Sequence, residues 1–330
     1  MQIITERPDV LAALDAVGEL RAPLLMPNAE TPDEIEAVLS AAEGFAEQRE
    51  LSRFVIGLGI TASYPDHAQL RRLQRGDDAP LTETMATWLR WIGVFADRPG
   101  LYERVAVIPF LDHGWAPDSA DLELMRSPAV QDGLGILMFD GSAWDWDRNV
   151  AETAAFVEAA SERVVVEGCP DKILSEAEIT ERGLKVADML TDPDRAARYV
   201  EATGVDLIVP NLGTEHRATA DRATYHADRA QAIRDRVGPR LALHGTSSLG
   251  SNVGSLAGDG IVKVNFYTGM TRVASHKLRG SWRDMPSPHA LPLPLACGSH
   301  VYTTRRGAAC ERVGVMLSAL WPSPDSDDGR

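Results

Sequence analysis

The chain has 330 residues, 44% of them hydrophobic and 25% charged, an ordinary globular composition. Its formal net charge of -15, from 48 acidic and 33 basic residues, excludes nucleic-acid binding driven by counterion release and attraction to anionic membranes. No apolar run reaches membrane-spanning length, residues 1–7 lack a signal-peptide pattern, and three scattered cysteines make no disulfide framework, so the expectation is a cytoplasmic protein that handles a small molecule.

Residues 22–27 are the first expected strand, followed by Asn28. Thr31-Pro32-Asp33-Glu34 has the marks of a helix start: an N-cap, a proline at the first helical position and acids in the first turn. Residues 53–58 give a second strand, and residues 81–96 a helix with Met85, Trp88, Leu89 and Ile92 inward. The third apolar run, from Val105 to Phe110, leads into Asp112 and His113. A buried strand rarely ends on adjacent ionisable groups without a use for them, because an unpaired buried charge is costly.

Residues 119–125 are a short amphipathic segment, and 135–139 a fourth strand leading to Asp140-Gly141-Ser142. A helix over 149–160 precedes the fifth strand, 163–167. The irregular stretch from 168 to about 190 is long for a strand-to-helix connection and marks a candidate active-site loop. Thr191-Asp192-Pro193 begins another helix, which ends near Gly204. Strand six is 205–209, a helical stretch covers 222–237, strand seven over 240–244 ends on His244, and strand eight over 260–265 ends on Asn265.

Near-continuous apolar strands alternating with helices predict a parallel sheet covered by helices. Eight such units predict a (β/α)8 TIM barrel over residues 1–283, with a doubly wound open sheet as the alternative. A C-terminal extension, 284–330, holds a proline-rich connector, a closing helix over about 305–320 and a polar tail.

In a barrel, chemistry collects at the carboxyl ends of the strands. Those ends carry Asn28, Asp112, His113, Asp140, Ser142, Glu167, Cys169, His216, His244 and Asn265. Three imidazoles from three strands suit catalytic zinc. Asp112 fits either orientation of a ligand or proton transfer. Asp140-Gly141-Ser142 fits a turn or cap as well, and Gly245-Thr246-Ser247-Ser248 fits either a polar loop or a phosphate cradle. His67, His226, His276, His289 and His300 read as surface or satisfied core residues.

The chain resembles class II, zinc-dependent fructose- and tagatose-bisphosphate aldolases from about residue 24 to 268. The resemblance lies in Leu111-Asp112-His113-Gly114, Met138-Phe139-Asp140-Gly141-Ser142 with Asn149, Val166-Glu167, Gly213-Thr214-Glu215-His216, Leu243-His244-Gly245-Thr246-Ser247, and Lys263-Val264-Asn265 with Thr268. It implies His113, His216 and His244 as zinc ligands and Asp112 as the acid that moves a proton during carbon–carbon cleavage. It further implies Gly245, Ser247 and Thr268 around a ketose phosphate, and Asn28, Asp140, Ser142 and Asn265 as substrate contacts. The implied cofactor is Zn2+, alone or with a monovalent cation, and the implied assembly a homodimer or homotetramer. Lys263 receives no Schiff-base role from this pattern.

The departures fall on substrate positions. Cys169 replaces the second carboxylate of a Glu-x-Glu pair, leaving a soft metal ligand or a small buried residue as its two readings. Arg217 stands where a glycine is usual, and as a planar, always charged donor it suits a carboxylate or phosphate. Tyr267 stands where an acid is usual, and the loop glutamate that acts as acid/base in some members has Glu176, Glu178 and Glu181 as stand-ins. The expected function is aldol cleavage or condensation of a phosphorylated or otherwise anionic ketose, with the standard glycolytic substrate disfavoured. A barrel that binds metal or ligand without turnover is the alternative, and a metal-dependent hydrolase a third.

Overall fold

The computed structural model describes residues 1–65, 67–76, 79–173, 183, 189–214, 225–246, 256–283 and 293–321. Two short opening elements, β1 (Gln2–Ile3) and α1 (Arg7–Leu20), precede the strands expected from the sequence. The first half continues with β2 (Leu24–Pro27), α2 (Pro32–Gln48), β3 (Phe54–Thr61), α3 (Gln69–Leu73), α4 (Leu81–Ala96) and β4 (Val105–Trp115). Two short helices, α5 (Ser119–Arg126) and α6 (Pro128–Gln131), lead to β5 (Ile136–Asp140), α7 (Trp146–Ala160) and β6 (Val165–Gly168). The barrel ends with α8 (Pro193–Thr203), β7 (Leu207–Ile208), α9 (Ala227–Val237), β8 (Leu241–Leu243), β9 (Ile261–Phe266) and α10 (Thr268–Trp282). Beyond it lie α11 (Leu293–Ala296) and α12 (Gly298–Leu320), the latter starting before the position near Arg305 that its pattern marks.

Every strand pairing is parallel, and the order β4-β5-β6-β7-β8-β9-β2 runs around the molecule, with β3 on the other side of β4. The ring closes between β2 and β3 through a bridge from Asn28 to Gly59, where the Ala29 N–H donates to the Gly59 carbonyl at 2.9 Å. That closure makes an eight-stranded barrel and rules out the open doubly wound sheet. β7 and β8 hold only two and three residues in regular pairing, shorter than the apolar runs that carry them.

Helices cover the outside through one continuous apolar layer. Trp88 of α4 is fully buried there, and its indole N–H donates to the Ala29 carbonyl at 2.8 Å, tying the helix to the end of β2. The amino end of the barrel is filled by Val10, Leu14 and Val17 of α1, packed on inward residues such as Met26, Ile108, Phe110 and Ile136. Above that layer sit Met138, Cys169, Ile173, Val209 and Ala242, and polar residues take over at the carboxyl end. No described helix is long and apolar enough to cross a membrane.

α12 is fastened across α2 by Arg305, which bonds Asp33 at 2.9 Å and Glu34 at 2.6 Å. Burial outweighs the Arg305 charge at Glu34 and lifts its carboxyl from 4.5 to about 7. A folded-state value above the ordinary one means that Glu34 gives its full stabilisation below about pH 4.5 and loses it as pH rises through 7. Glu34→Gln, which stays uncharged, is therefore expected to stabilise the chain relative to wild type at pH 8 compared with pH 5. The relative gain should be on the order of 3 kcal/mol, read from chemical denaturation at the two pH values.

Candidate active site

β4 supplies two neighbouring polar side chains to the same pocket. A regular strand sends adjacent residues to opposite faces. Here Leu111 pairs with Leu137 and Gly114 with Phe139, so β4 carries one extra residue, and His113 takes a left-handed backbone with φ 47°. This bulge turns both Asp112 and His113 inward. Both are buried, and they line a solvent-open cleft with His244, Gly245, Asn28, Asn265 and Thr268.

Asp112 is gripped at both oxygens, by the Asn28 amide on Oδ2 and the Asn265 amide on Oδ1, each at 2.7 Å. Burial pushes its carboxyl up, but the charges of His113, His244 and Lys263 and the Asn28 bond win and bring it to about 2. Asp112 is therefore an ionised acceptor whose direction is fixed by two amides.

The two imidazoles are oriented from behind. His113 Nδ1 faces Asp140 Oδ2 at 2.6 Å, and His244 Nε2 faces Glu167 Oε1 at 3.0 Å. Burial pushes both Asp140 and Glu167 up, but their partners bring each below its ordinary value. An ionised carboxylate only accepts, so each imidazole carries its proton on the nitrogen facing its carboxylate. The opposite nitrogens, His113 Nε2 and His244 Nδ1, face each other across 3.1 Å, with Asp112 Oδ1 at 3.9 and 3.7 Å, and in the neutral rings they carry the lone pairs. Two lone pairs and a carboxylate facing one point is an arrangement that a cation satisfies. Asp112, His113 and His244 form the metal-suited group among the described residues. His216 and Arg217, and Ser247 of the expected phosphate cradle, lie outside the described residues, as do Glu176, Glu178 and Glu181.

Beneath this group runs a buried ion pair. Lys263 Nζ lies 2.8 Å from Glu167 Oε2, hydrogen-bonds Asn265 Oδ1 and sits over the Phe110 ring at 4.8 Å. Lys263 thus supports the residues that hold His244 and Asp112. Cys169 packs among Met138, Ile173, Val209 and Ala242, and its thiol donates to the Asp171 carbonyl at 3.0 Å. Burial and nearby carboxylates push the thiol well up, which favours the packed, protonated group over a soft ligand. Asp140 reaches His113 rather than the cleft, and the Ser142 N–H donates to Asp140 Oδ1 at 3.0 Å. Asn149 bonds the Cys169 carbonyl and bridges α7 to β6.

Tyr64 and His67 line the cleft without any motif signal, and Tyr267 lines it at the position where an acid is usual in the family pattern. Tyr64 stacks on His113 with centroids 4.1 Å apart, and Tyr267 sets its ring edge to His67 at 5.4 Å. His67, read from sequence as a surface or core residue, lines the cleft instead. Gly59 leaves room for the Asn28–Asp112 contact: a Cβ there would lie 2.4 Å from Asn28 Oδ1 and 2.1 Å from Phe110 Cζ. Gly59→Ala is expected to cost about 1–3 kcal/mol by overcrowding, measured as a lower denaturation midpoint.

A family model described as "Fructose-bisphosphate aldolase class-II" matches residues 83–305. The chain belongs to the class II fructose-bisphosphate aldolase family. Among relatives of the class II aldolases it is 28% identical over 193 residues to YdjI of Escherichia coli K12 and 34% identical over 173 residues to fructose-bisphosphate aldolase of Xanthobacter flavus. It is 27% identical over 179 residues to sulfofructosephosphate aldolase of Alkalicoccus urumqiensis. These matches cover 56%, 45% and 52% of this chain and 64%, 47% and 60% of the respective relatives, so the chain spans less than two thirds of their length. The crystal structure of YdjI aldolase superposes with a TM-score of 0.65 at 21% identity, over 98% of both chains. Fructose-bisphosphate aldolase from Campylobacter jejuni gives 0.72 at 14% identity, over 97% of this chain and 95% of that one. The shared fold of class II aldolases thus extends across nearly the whole length, well beyond the segments in which sequence identity is retained.

Proposed function

We propose that the chain is a zinc-dependent class II aldolase that makes or breaks a carbon–carbon bond in an anionic ketose. The observation that carries this reading is the meeting of His113 Nε2 and His244 Nδ1 at 3.1 Å beside an ionised, doubly held Asp112. His113 and His244, with His216 as a third donor, would hold the ion. When bound, Zn2+ supplies electrophilic stabilisation of the oxyanion that retro-aldol cleavage leaves on the donor fragment.

The remaining work falls to the chain itself. Asp140 and Glu167 hold the imidazoles in the tautomers that coordinate. Asp112 takes the proton of the hydroxyl on the carbon being released, as the electron pair of the breaking bond passes to the donor fragment and an aldehyde departs. Reversal returns that proton. Asn28 and Asn265 keep the carboxylate aimed at the bond. Gly245 and Thr268, at the end of β8 and the start of α10, suit the phosphate of the ketose, where backbone N–H groups and the helix dipole favour an anion.

Metal analysis together with a ketose-phosphate cleavage assay tests the proposal. The expected result is about one zinc per chain, activity lost on chelation and regained with zinc. A preparation that stays metal-free and fully active overturns it.

A further inference from the structure

Of the two imidazoles that face one another, His113 is the harder to hold. It sits on the β4 bulge with a left-handed backbone, so regular strand geometry does not aim it. Its Nδ1 bonds Asp140 at 2.6 Å. An N–H lies in the plane of its ring, so this bond fixes the tautomer and resists sliding within that plane. It resists tipping less, because hydrogen bonds accept a broad range of angles at the acceptor.

The face of the ring is covered by Tyr64, with centroids 4.1 Å and planes 25° apart. Tyr64 is only 6% exposed and stands edge-on to Trp115 at 5.1 Å. One buried carboxylate ties both members of this aromatic pair. Asp121 Oδ2, in α5, accepts from the Ser63 N–H at 3.1 Å and from the Trp115 N–H at 2.8 Å. Arg71 adds a second tie, bonding Ser63 Oγ at 2.8 Å and Asp118, the N-cap of α5, at 2.9 Å. The segment that carries Tyr64 is thereby fastened to the end of β4 and to the start of α5.

Tipping is the motion that matters to a ligand, since it swings Nε2 away from the point it shares with His244. A bound cation also draws electron density from the imidazole, and a partly positive ring gains from lying on the π face of a tyrosine. We infer that Tyr64 is a positioning residue for the metal site: its ring clamps His113 in the orientation that binds the ion, and Asp121 holds the clamp through Ser63 and Trp115. This rests on the zinc reading above and adds to the same site a residue that acts through its face.

The test uses the full chain, stripped of metal and titrated with zinc against a chromophoric chelator. Tyr64→Leu and Tyr64→Met, which remove the ring, should bind zinc about tenfold more weakly or worse, and Tyr64→Phe, which keeps it, should stay within about twofold of wild type. Saturation with cobalt(II) gives a second readout. Its visible ligand-field bands should move in the Leu and Met variants and coincide with wild type in the Phe variant. A merely structural role would lower the denaturation midpoint of the metal-free chain and leave the saturated cobalt spectrum unmoved. If only one of the two ring-removing variants folds, that one decides. Wild-type zinc affinity and an unmoved cobalt spectrum without the ring, or an equal loss in Tyr64→Phe, overturns the inference. A wild-type chain that binds neither zinc nor cobalt sinks the metal reading and this inference together; tight binding in wild type with no change in the variants sinks this inference alone.

Discussion

On the zinc-dependent aldolase reading proposed above, Asp112→Ala is expected to lower kcat by about 10²–10⁴-fold with zinc content unchanged. Two asparagine amides at 2.7 Å fix this carboxylate, which stands 3.7 and 3.9 Å from the imidazole nitrogens that face one another. At those distances it would stand beside an ion held by the two histidines rather than behind either ring. Removing it would take away the proposed proton carrier and leave both histidines with their orienting carboxylates. Steady-state rates and metal content measured on the same preparation decide the matter. Loss of zinc in parallel with activity would make Asp112 a ligand instead of a base.

Lys263→Met is expected to destabilise the chain by about 3–5 kcal/mol, because it leaves Glu167 buried without its cation. Lys263 is 1% exposed and Glu167 0%, so water does not replace the lost charge. Glu167 also receives His244, so zinc affinity should fall in the same variant. Denaturation midpoints give the first effect and chelator competition the second. The double variant with Glu167→Gln should recover part of the stability and none of the zinc affinity. A single variant as stable as wild type would show that Glu167 takes up its proton or reaches solvent.

Much of this architecture is legible in the sequence, for physical reasons. The strands from Leu24 to Phe266 are apolar because the parallel sheet is covered on both faces, and α4 shows its stripe because one side packs on the barrel. Asp112, His113 and His244 stand out because polar groups at the end of an apolar run are conspicuous. β1 and α1 escape notice: two residues make no strand pattern, and the α1 stripe of Val10, Leu14 and Val17 is sparse. Tyr64 and His67 come from the connection after β3, where no periodicity marks an inward side chain. The support given by Lys263 is equally hidden, since a lysine in an apolar strand does not name its carboxylate across the barrel.

The packing of Val10, Leu14 and Val17 against Ile108 and Phe110 has a kinetic consequence. Among the described residues the barrel is stoppered at its amino end and open at its carboxyl end. If the chain splits a ketose as proposed, both fragments leave by the carboxyl end of the barrel, where the intact sugar would enter. A molecule lodged in that doorway would hinder breaking and joining alike, since neither direction has a back exit.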